Sequence, residues 1–273
     1  MKRTCSPHTS LYLDLPTCYL DLPNLNFMQY FFRWLLAILL VIPASLAQQK
    51  AFPSSEALTY SIEWRLIYAG SAHLILRPAA SGWNSLVHVE SGGMVSKLYK
   101  LDDNYSAELQ NAFCTANTDL EAFEGKKHFS TKVNYDHNKA TYLERDLIKN
   151  SVIRSSEVET PECAGDITGS LYKLRTLKLE PGQSASLPMS DGKKSAMVKV
   201  EAQEREEITT KAGTFKTIRY ESFVFNNVLY KRNARLFVWL TDDARRLPVQ
   251  IRVRMSFPIG SITLQLDKDE PGA

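Results

Sequence analysis

The sequence predicts an all-β fold, mainly antiparallel, in which one sheet curls into a half-barrel or β-roll and carries one short helix. Three observations predict it. Apolar and polar residues alternate with period two over many short stretches. Glycine, asparagine and aspartate turn signals separate those stretches. One segment alone has apolar residues near helical spacing.

The first strand places Leu58, Tyr60, Ile62, Trp64, Leu66 and Tyr68 on one face, with Ser61, Glu63 and Arg65 on the other. This is the pattern of a half-buried strand. The alternation resumes at Ala72, Leu74 and Leu76, so a bend or turn is expected at Gly70. Ser81-Gly82 turns the chain into a strand over 83–89. The same grammar returns at Phe129, Thr131, Val133 and Tyr135, with Asp136-His-Asn138 as the turn into 141–145.

The helical segment is Asp166 to Leu177, with apolar residues at 167, 171, 174 and 177 and Asp166 suited to cap the first turn. Strands follow over 197–206 and 215–225 around Lys211-Ala-Gly-Thr214, then at 249–255 and 262–266. Two stretches are apolar on both faces: Phe223-Val-Phe225 with Val228-Leu-Tyr230, and Leu236-Phe-Val-Trp-Leu240. A strand apolar on both faces needs cover on each, which the helix or a ligand provides in a curled sheet. These features make Tyr172, Arg175, Phe223, Phe225 and Trp239 the candidate ligand contacts. Central strands of a well-packed core read the same way.

The N-terminal portion has a different design. Met28 to Arg33 leads into an uncharged apolar run from Trp34 that ends at Pro43, followed by Ser45-Leu46-Ala47. These are the parts of a cleavable signal peptide over 28–47, with cutting expected after Ala47 and export to the periplasm or beyond. The run is short for a span of the ~30 Å hydrocarbon core, so no membrane anchor is expected after cleavage. Residues 1–27 repeat Tyr-Leu-Asp-Leu-Pro at 12–16 and 19–23 and are expected to lie upstream of the true start at Met28. Residues 48–273 then form a single β-rich domain.

Removing residues 1–47 takes away three basic and two acidic residues, leaving 30 and 28 and a net charge of +2. With both signs alternating along strands, nucleic acid is a poor partner. Cys114 and Cys163 remain, an even pair without metal-ligand spacing, and a disulfide is expected between them in an oxidising compartment.

No catalytic or cofactor signature stands out. A G-x-S-x-G elbow, a phosphate loop and a G-x-G-x-x-G turn are all missing from the sequence. His73, His88, His128 and His137 lack the spacing that aims two imidazoles at one metal, so neither metal nor cofactor is expected. Asp102-Asp103 and Asp242-Asp243 fall where solvated turns are expected. Asp166, Tyr172 and Arg175 are the most concentrated polar set. Arg175 reads either as an anion clamp oriented by Asp166 or as a tie from the helix to a strand carboxylate, with Asp166 as a cap.

The runs Pro161-Glu-Cys-Ala-Gly-Asp166, Leu171-Tyr-Lys-Leu-Arg-Thr176, Leu179-Glu-Pro-Gly182, Thr210-Lys-Ala-Gly-Thr-Phe215 and Trp239 to Pro248 resemble the bacterial exported family catalogued as domain of unknown function 3108 (DUF3108). That resemblance spans the domain and implies a periplasmic β protein without an agreed activity. The end of the chain, from Val238 to Leu266, is similar in architecture to periplasmic lipoprotein carriers, which are half-barrels with a helix over an apolar cavity. Two functions follow as expectations. The first is a non-enzymatic envelope protein that binds an amphiphile, lipid or other apolar chain within the curled sheet. The second is a structural or scaffolding module that pairs with another envelope protein through a strand edge.

Overall fold

The computed structural model describes residues 55–272. The readings made for residues 1–27 and 28–47 lie outside the described residues. Fourteen strands form one antiparallel sheet: β1 (Glu56–Trp64), β2 (Ile67–Ala79), β3 (Gly82–Ser91), β4 (Leu101–Gln110), β5 (Thr115–Glu124), β6 (Lys127–Asp136), β7 (Lys139–Asp146), β8 (Ser151–Glu159), β9 (Ser184–Ser190), β10 (Ser195–Thr210), β11 (Gly213–Ser222), β12 (Ala234–Thr241), β13 (Pro248–Met255) and β14 (Ser261–Pro271). Each strand pairs with its neighbour in sequence except β8 and β9, which form the two edges, and β1 pairs with β14, so the sheet runs from β8 through β1 and β14 to β9. Two helices interrupt the meander: α1 (Val95–Leu98) between β3 and β4, and α2 (Ile167–Thr176) between β8 and β9.

The sheet curls until strands from opposite ends meet. Tyr135 on β6 donates to the Ser190 carbonyl at the end of β9, and Lys193 in the β9–β10 turn lies over the Tyr142 ring on β7. The linker before α2 fills the seam. Thr115 N donates to Ala164 O, Gly165 N to Pro188 O, and Ser190 N back to Gly165 O. The Cys114–Cys163 disulfide, with Cα atoms 4.6 Å apart, fastens that linker to the start of β5.

Inside the curl, alternate residues make the core. Leu58, Tyr60, Leu74, Leu76, Val249 and Leu266 bury one part, and Val198, Val200, Ile218, Tyr220, Val238 and Leu240 another. Leu171 on α2 packs against both, so the helix lies in the hollow of the sheet.

Several local readings need correction. The first strand turns at Arg65 and Leu66, both in the left-handed region, and Gly70 lies within β2. Glycine is needed there for contact, because a Cβ would sit 2.0 Å from the Glu90 carbonyl on β3. The stretch 223–233 is a loop. Asn226 and Asn227 adopt left-handed φ of 60° and 71°, which asparagine tolerates, and Val224 O accepts from both Leu229 N and Tyr230 N to close the turn. Asp102 and Asp103 lie on β4, while Asp242 and Asp243 do sit in a turn.

Candidate functional site

Helix α2 holds the polar set seen in the sequence. Asp166 caps it by accepting from Thr168 N at 3.0 Å and Gly169 N at 2.8 Å. The same carboxylate accepts from Tyr105 Oη at 2.5 Å, Thr115 Oγ1 at 2.6 Å and Thr168 Oγ1 at 2.8 Å, so it joins β4 and β5 to the helix. Arg175 is tied as tightly. Its Nη1 and Nη2 donate to the two carboxylate oxygens of Glu56 on β1, while Nε and Nη2 reach the carbonyls of Arg246 and Arg245 at 3.0 and 3.2 Å.

Burial opposes the charge on Arg175, yet the Glu56 hydrogen bonds and charge outweigh it and hold the guanidinium above its ordinary pKa. Tyr172 is buried beneath it, with the Arg175 guanidinium 5.1 Å from the ring centroid, and desolvation raises its hydroxyl. The carboxylates of Asp166 and Glu56 and the guanidinium of Arg175 are all engaged within the protein. The cluster locks the helix into the hollow.

Trp239 lies on the other side of the sheet. Val238 and Leu240 pair with Tyr220 and Ile218 on the inner face, whereas Phe237 and Trp239 pair with Glu221 and Arg219 on the other, and Ile208, Ala212 and Phe215 of the β10–β11 arm pack against the cluster that includes the two rings. That arm is anchored by Ala212 N to Leu266 O at 3.3 Å and Lys211 Nζ to Asp267 at 2.8 Å. The Trp239 indole donates to Glu206 at 3.3 Å.

Register then gathers arginines around the two rings. Phe237 pairs with Arg252, Trp239 with Gln250, and Arg235 with Arg254 across β12 and β13. Arg235 and Arg219 stand over Phe237 at 4.8 and 5.5 Å, and Arg252 stands over Trp239 at 5.2 Å. Two of these cations are neutralised: Arg219 by Glu204 and Glu206, and Arg235 by Glu221, whose carboxyl the Arg235 hydrogen bonds hold below its ordinary pKa. Among the described residues, Arg65, Arg252 and Arg254 have no carboxylate within ion-pair distance. These three line an open groove of about 590 Å³ with Met255, Phe257, Gly260 and Ser261. A second hollow of about 230 Å³ shares Arg252 and Arg254 and continues toward Phe237 and Trp239.

The family described as "Protein of unknown function (DUF3108)" matches residues 59–267. The chain belongs to that family. No curated protein matches it. Among solved structures it is similar to a beta-barrel-like protein of domain of unknown function DUF1849 from Brucella abortus, with a TM-score of 0.55 and 8% identity over 81% of this chain and 99% of that one. That likeness is one of fold. A Bacteroides fragilis protein with a YmcC-like fold aligns at a TM-score of 0.29 and 11% identity, over 80% of this chain and 98% of that one.

In this DUF3108 chain the five sequence candidates do not share one site. Tyr172 and Arg175 belong to the interior lock. Phe225 packs against the second core part beside Tyr230, and Phe223 is partly exposed under Lys199. Trp239 alone borders the arginine groove. Arg252 and Arg254 sit on the polar face of β13 and Arg65 in the β1–β2 turn, places where charge is ordinary, so no local pattern singles them out. The signal would have been the β12–β13 pairing, which sets the basic face of β13 against the aromatic face of β12. The histidines also gain a neighbour through register, since His73 stacks on His88 at 6.2 Å and His88 contacts Asp102 at 2.9 Å. Among the described residues, no group of three or more metal-ligating side chains is assembled.

Proposed function

We propose that this DUF3108 protein is a non-enzymatic envelope protein that binds an anionic amphiphile, and that the binding site is the outer arginine–aromatic groove. One observation carries the reading: Arg65, Arg252 and Arg254 converge on an open groove without a carboxylate in its lining, beside Met255 and Phe257. Planar guanidinium groups match phosphate or carboxylate heads, and the adjoining apolar side chains suit the first part of an acyl chain. The interior is the less suited place, because α2 packs into it and its charged groups, Glu56, Asp166 and Arg175, already engage partners within the protein.

The Cys114–Cys163 disulfide supports an oxidising compartment, in line with the signal peptide expected at 28–47. Among the described residues no helix is long and apolar enough to cross a membrane.

Calorimetric titration with a soluble alkyl phosphate tests the reading. Wild-type protein is expected to bind it more tightly than an uncharged glycoside of equal chain length, and an Arg252→Gln/Arg254→Gln variant is expected to lose that preference. Equal affinity for the two amphiphiles sinks the proposal.

A second reading has its own observation. Strand β8 forms one edge of the sheet, and Val152 and Ile153 on it are more than half exposed. Such an edge can accept a strand from a partner. Crosslinking from positions 152 and 153 in cells separates this scaffolding role from amphiphile binding.

A further inference from the structure

In an antiparallel meander, successive connections fall alternately at the two ends of the sheet. Seven connections lie at one end: those after β1, β3, β5, β7, β9, β11 and β13. Between the strand bounds they contain nine lysines and arginines against a single carboxylate, Asp191. The six connections at the other end contain six basic and five acidic residues. Charge that is balanced over the whole chain is therefore polarised by the topology.

Exposed apolar side chains follow the same division. Leu66 is 88% exposed, Leu98 83%, Ile148 66% and Phe257 90%, and all four lie in connections at the basic end. Ile167 is the one exposed large hydrophobic in the connections at the other end, among the described residues.

Hydrogen bonds tie several basic-end connections to one another or to the neighbouring strand ends. Arg65 N donates to Ser261 O at 3.1 Å, and Trp64 Nε1 to Ile259 O at 2.8 Å. Arg232 reaches Met255 Sδ, and Lys194 reaches Asn227 O. On the other side, Gly92 N donates to Ala69 O, and Gly125 N to Lys100 O.

We infer that this basic rim of the sheet docks the protein on the surface of an anionic lipid bilayer. A ring of separate apolar tips set among lysines and arginines differs from the contiguous apolar patch of a protein interface. It has the chemistry of a surface that lies at the headgroup level, with apolar residues reaching the acyl boundary and cations meeting lipid phosphates. Charge complementarity names the occupant: a membrane rich in anionic phospholipid. The inference goes beyond the groove reading and does not depend on it, because most of the rim residues are not groove residues.

Co-sedimentation of the purified protein with phosphatidylcholine vesicles, with and without phosphatidylglycerol, tests it. Wild-type protein is expected to sediment with the phosphatidylglycerol vesicles at low salt and to stay in solution with phosphatidylcholine alone. A Leu66→Ser/Leu98→Ser/Ile148→Ser variant, altered only at exposed positions, is expected to keep its melting temperature and lose about tenfold in vesicle partitioning. Ile167→Ser, at the opposite end, is the control and is expected to bind as wild type. The Arg252→Gln/Arg254→Gln variant is expected to stay on vesicles while losing soluble alkyl phosphate, so the two proposals fail separately. Wild-type protein that ignores phosphatidylglycerol vesicles overturns the inference. So does a rim variant that partitions like wild type, or retention on heparin without retention on vesicles.

Discussion

Glu56 and Arg175, 119 residues apart, meet in the hollow of the curled sheet with both side chains fully buried, and a two-oxygen, two-nitrogen contact closes the charge pair. One partner comes from the first strand and the other from the helix that plugs the hollow, so the pair fixes how deep α2 sits.

Breaking this pair from one side leaves an uncompensated buried charge. Glu56→Gln is expected to lower unfolding free energy by about 3 kcal/mol, a penalty of desolvation more than of lost attraction. Glu56→Leu combined with Arg175→Met removes both charges and is expected to recover most of that loss. Urea denaturation of the single and double variants checks the order. A double variant less stable than Glu56→Gln contradicts it.

The disulfide closes the chain over a sequence separation of 49 residues and ties the seam linker to β5. On the chain-entropy account, closing such a loop stabilises the native state by about 4 kcal/mol. Cys114→Ala/Cys163→Ala is expected to unfold at distinctly lower urea concentration. Reductant is expected to shift the wild-type melt and leave the variant's melt alone.

Asp103 supplies the pH dependence. Burial first, and the nearby Glu124 charge second, push its carboxyl up to about 6. An acid raised in the folded state binds its proton more tightly there than in the unfolded chain. Its contribution is therefore fully present below the ordinary carboxylate range and is lost as pH rises through about 6. Asp103→Asn, which cannot ionise, is expected to be more stable than wild type by on the order of 1 kcal/mol at pH 8, after allowance for solvent screening, and to have no advantage at pH 4. Melting curves at the two pH values decide it, and an equal difference at both contradicts the assignment.

The sequence announces the strands whose faces differ in polarity and hides those whose faces do not. β1, β6, β13 and β14 are half-buried and alternate cleanly. β4 reads Leu-Asp-Asp-Asn-Tyr-Ser-Ala-Glu-Leu-Gln and β8 is exposed along most of its length, so neither carries a period-two signal. The loop at 223–233 is apolar because it covers the core near Val224 and Leu229, a burial pattern that imitates a strand. Helix α2 and its cap were legible because Asp166 and the 3.6-residue spacing act locally. Glu56 as the partner of Arg175, and the convergence of Arg65, Arg252 and Arg254, depend on which strands lie side by side. No local pattern encodes that.

Arg254 gives the sharpest test of the groove. It stands directly across from Arg235 on β12, with Ser261 on its other side, and has no carboxylate of its own among the described residues. Like charges placed opposite one another on adjacent strands cost stability, so a fold selected for stability alone would place a neutral or acidic residue here. Arg254→Thr is therefore expected to raise unfolding free energy by about 0.5 kcal/mol while weakening alkyl phosphate binding about tenfold. Opposite signs for stability and affinity would mark the arginine as kept for its ligand. If Arg254→Thr instead lowers stability and leaves affinity unchanged, Arg254 serves the sheet, and the groove loses its central cation.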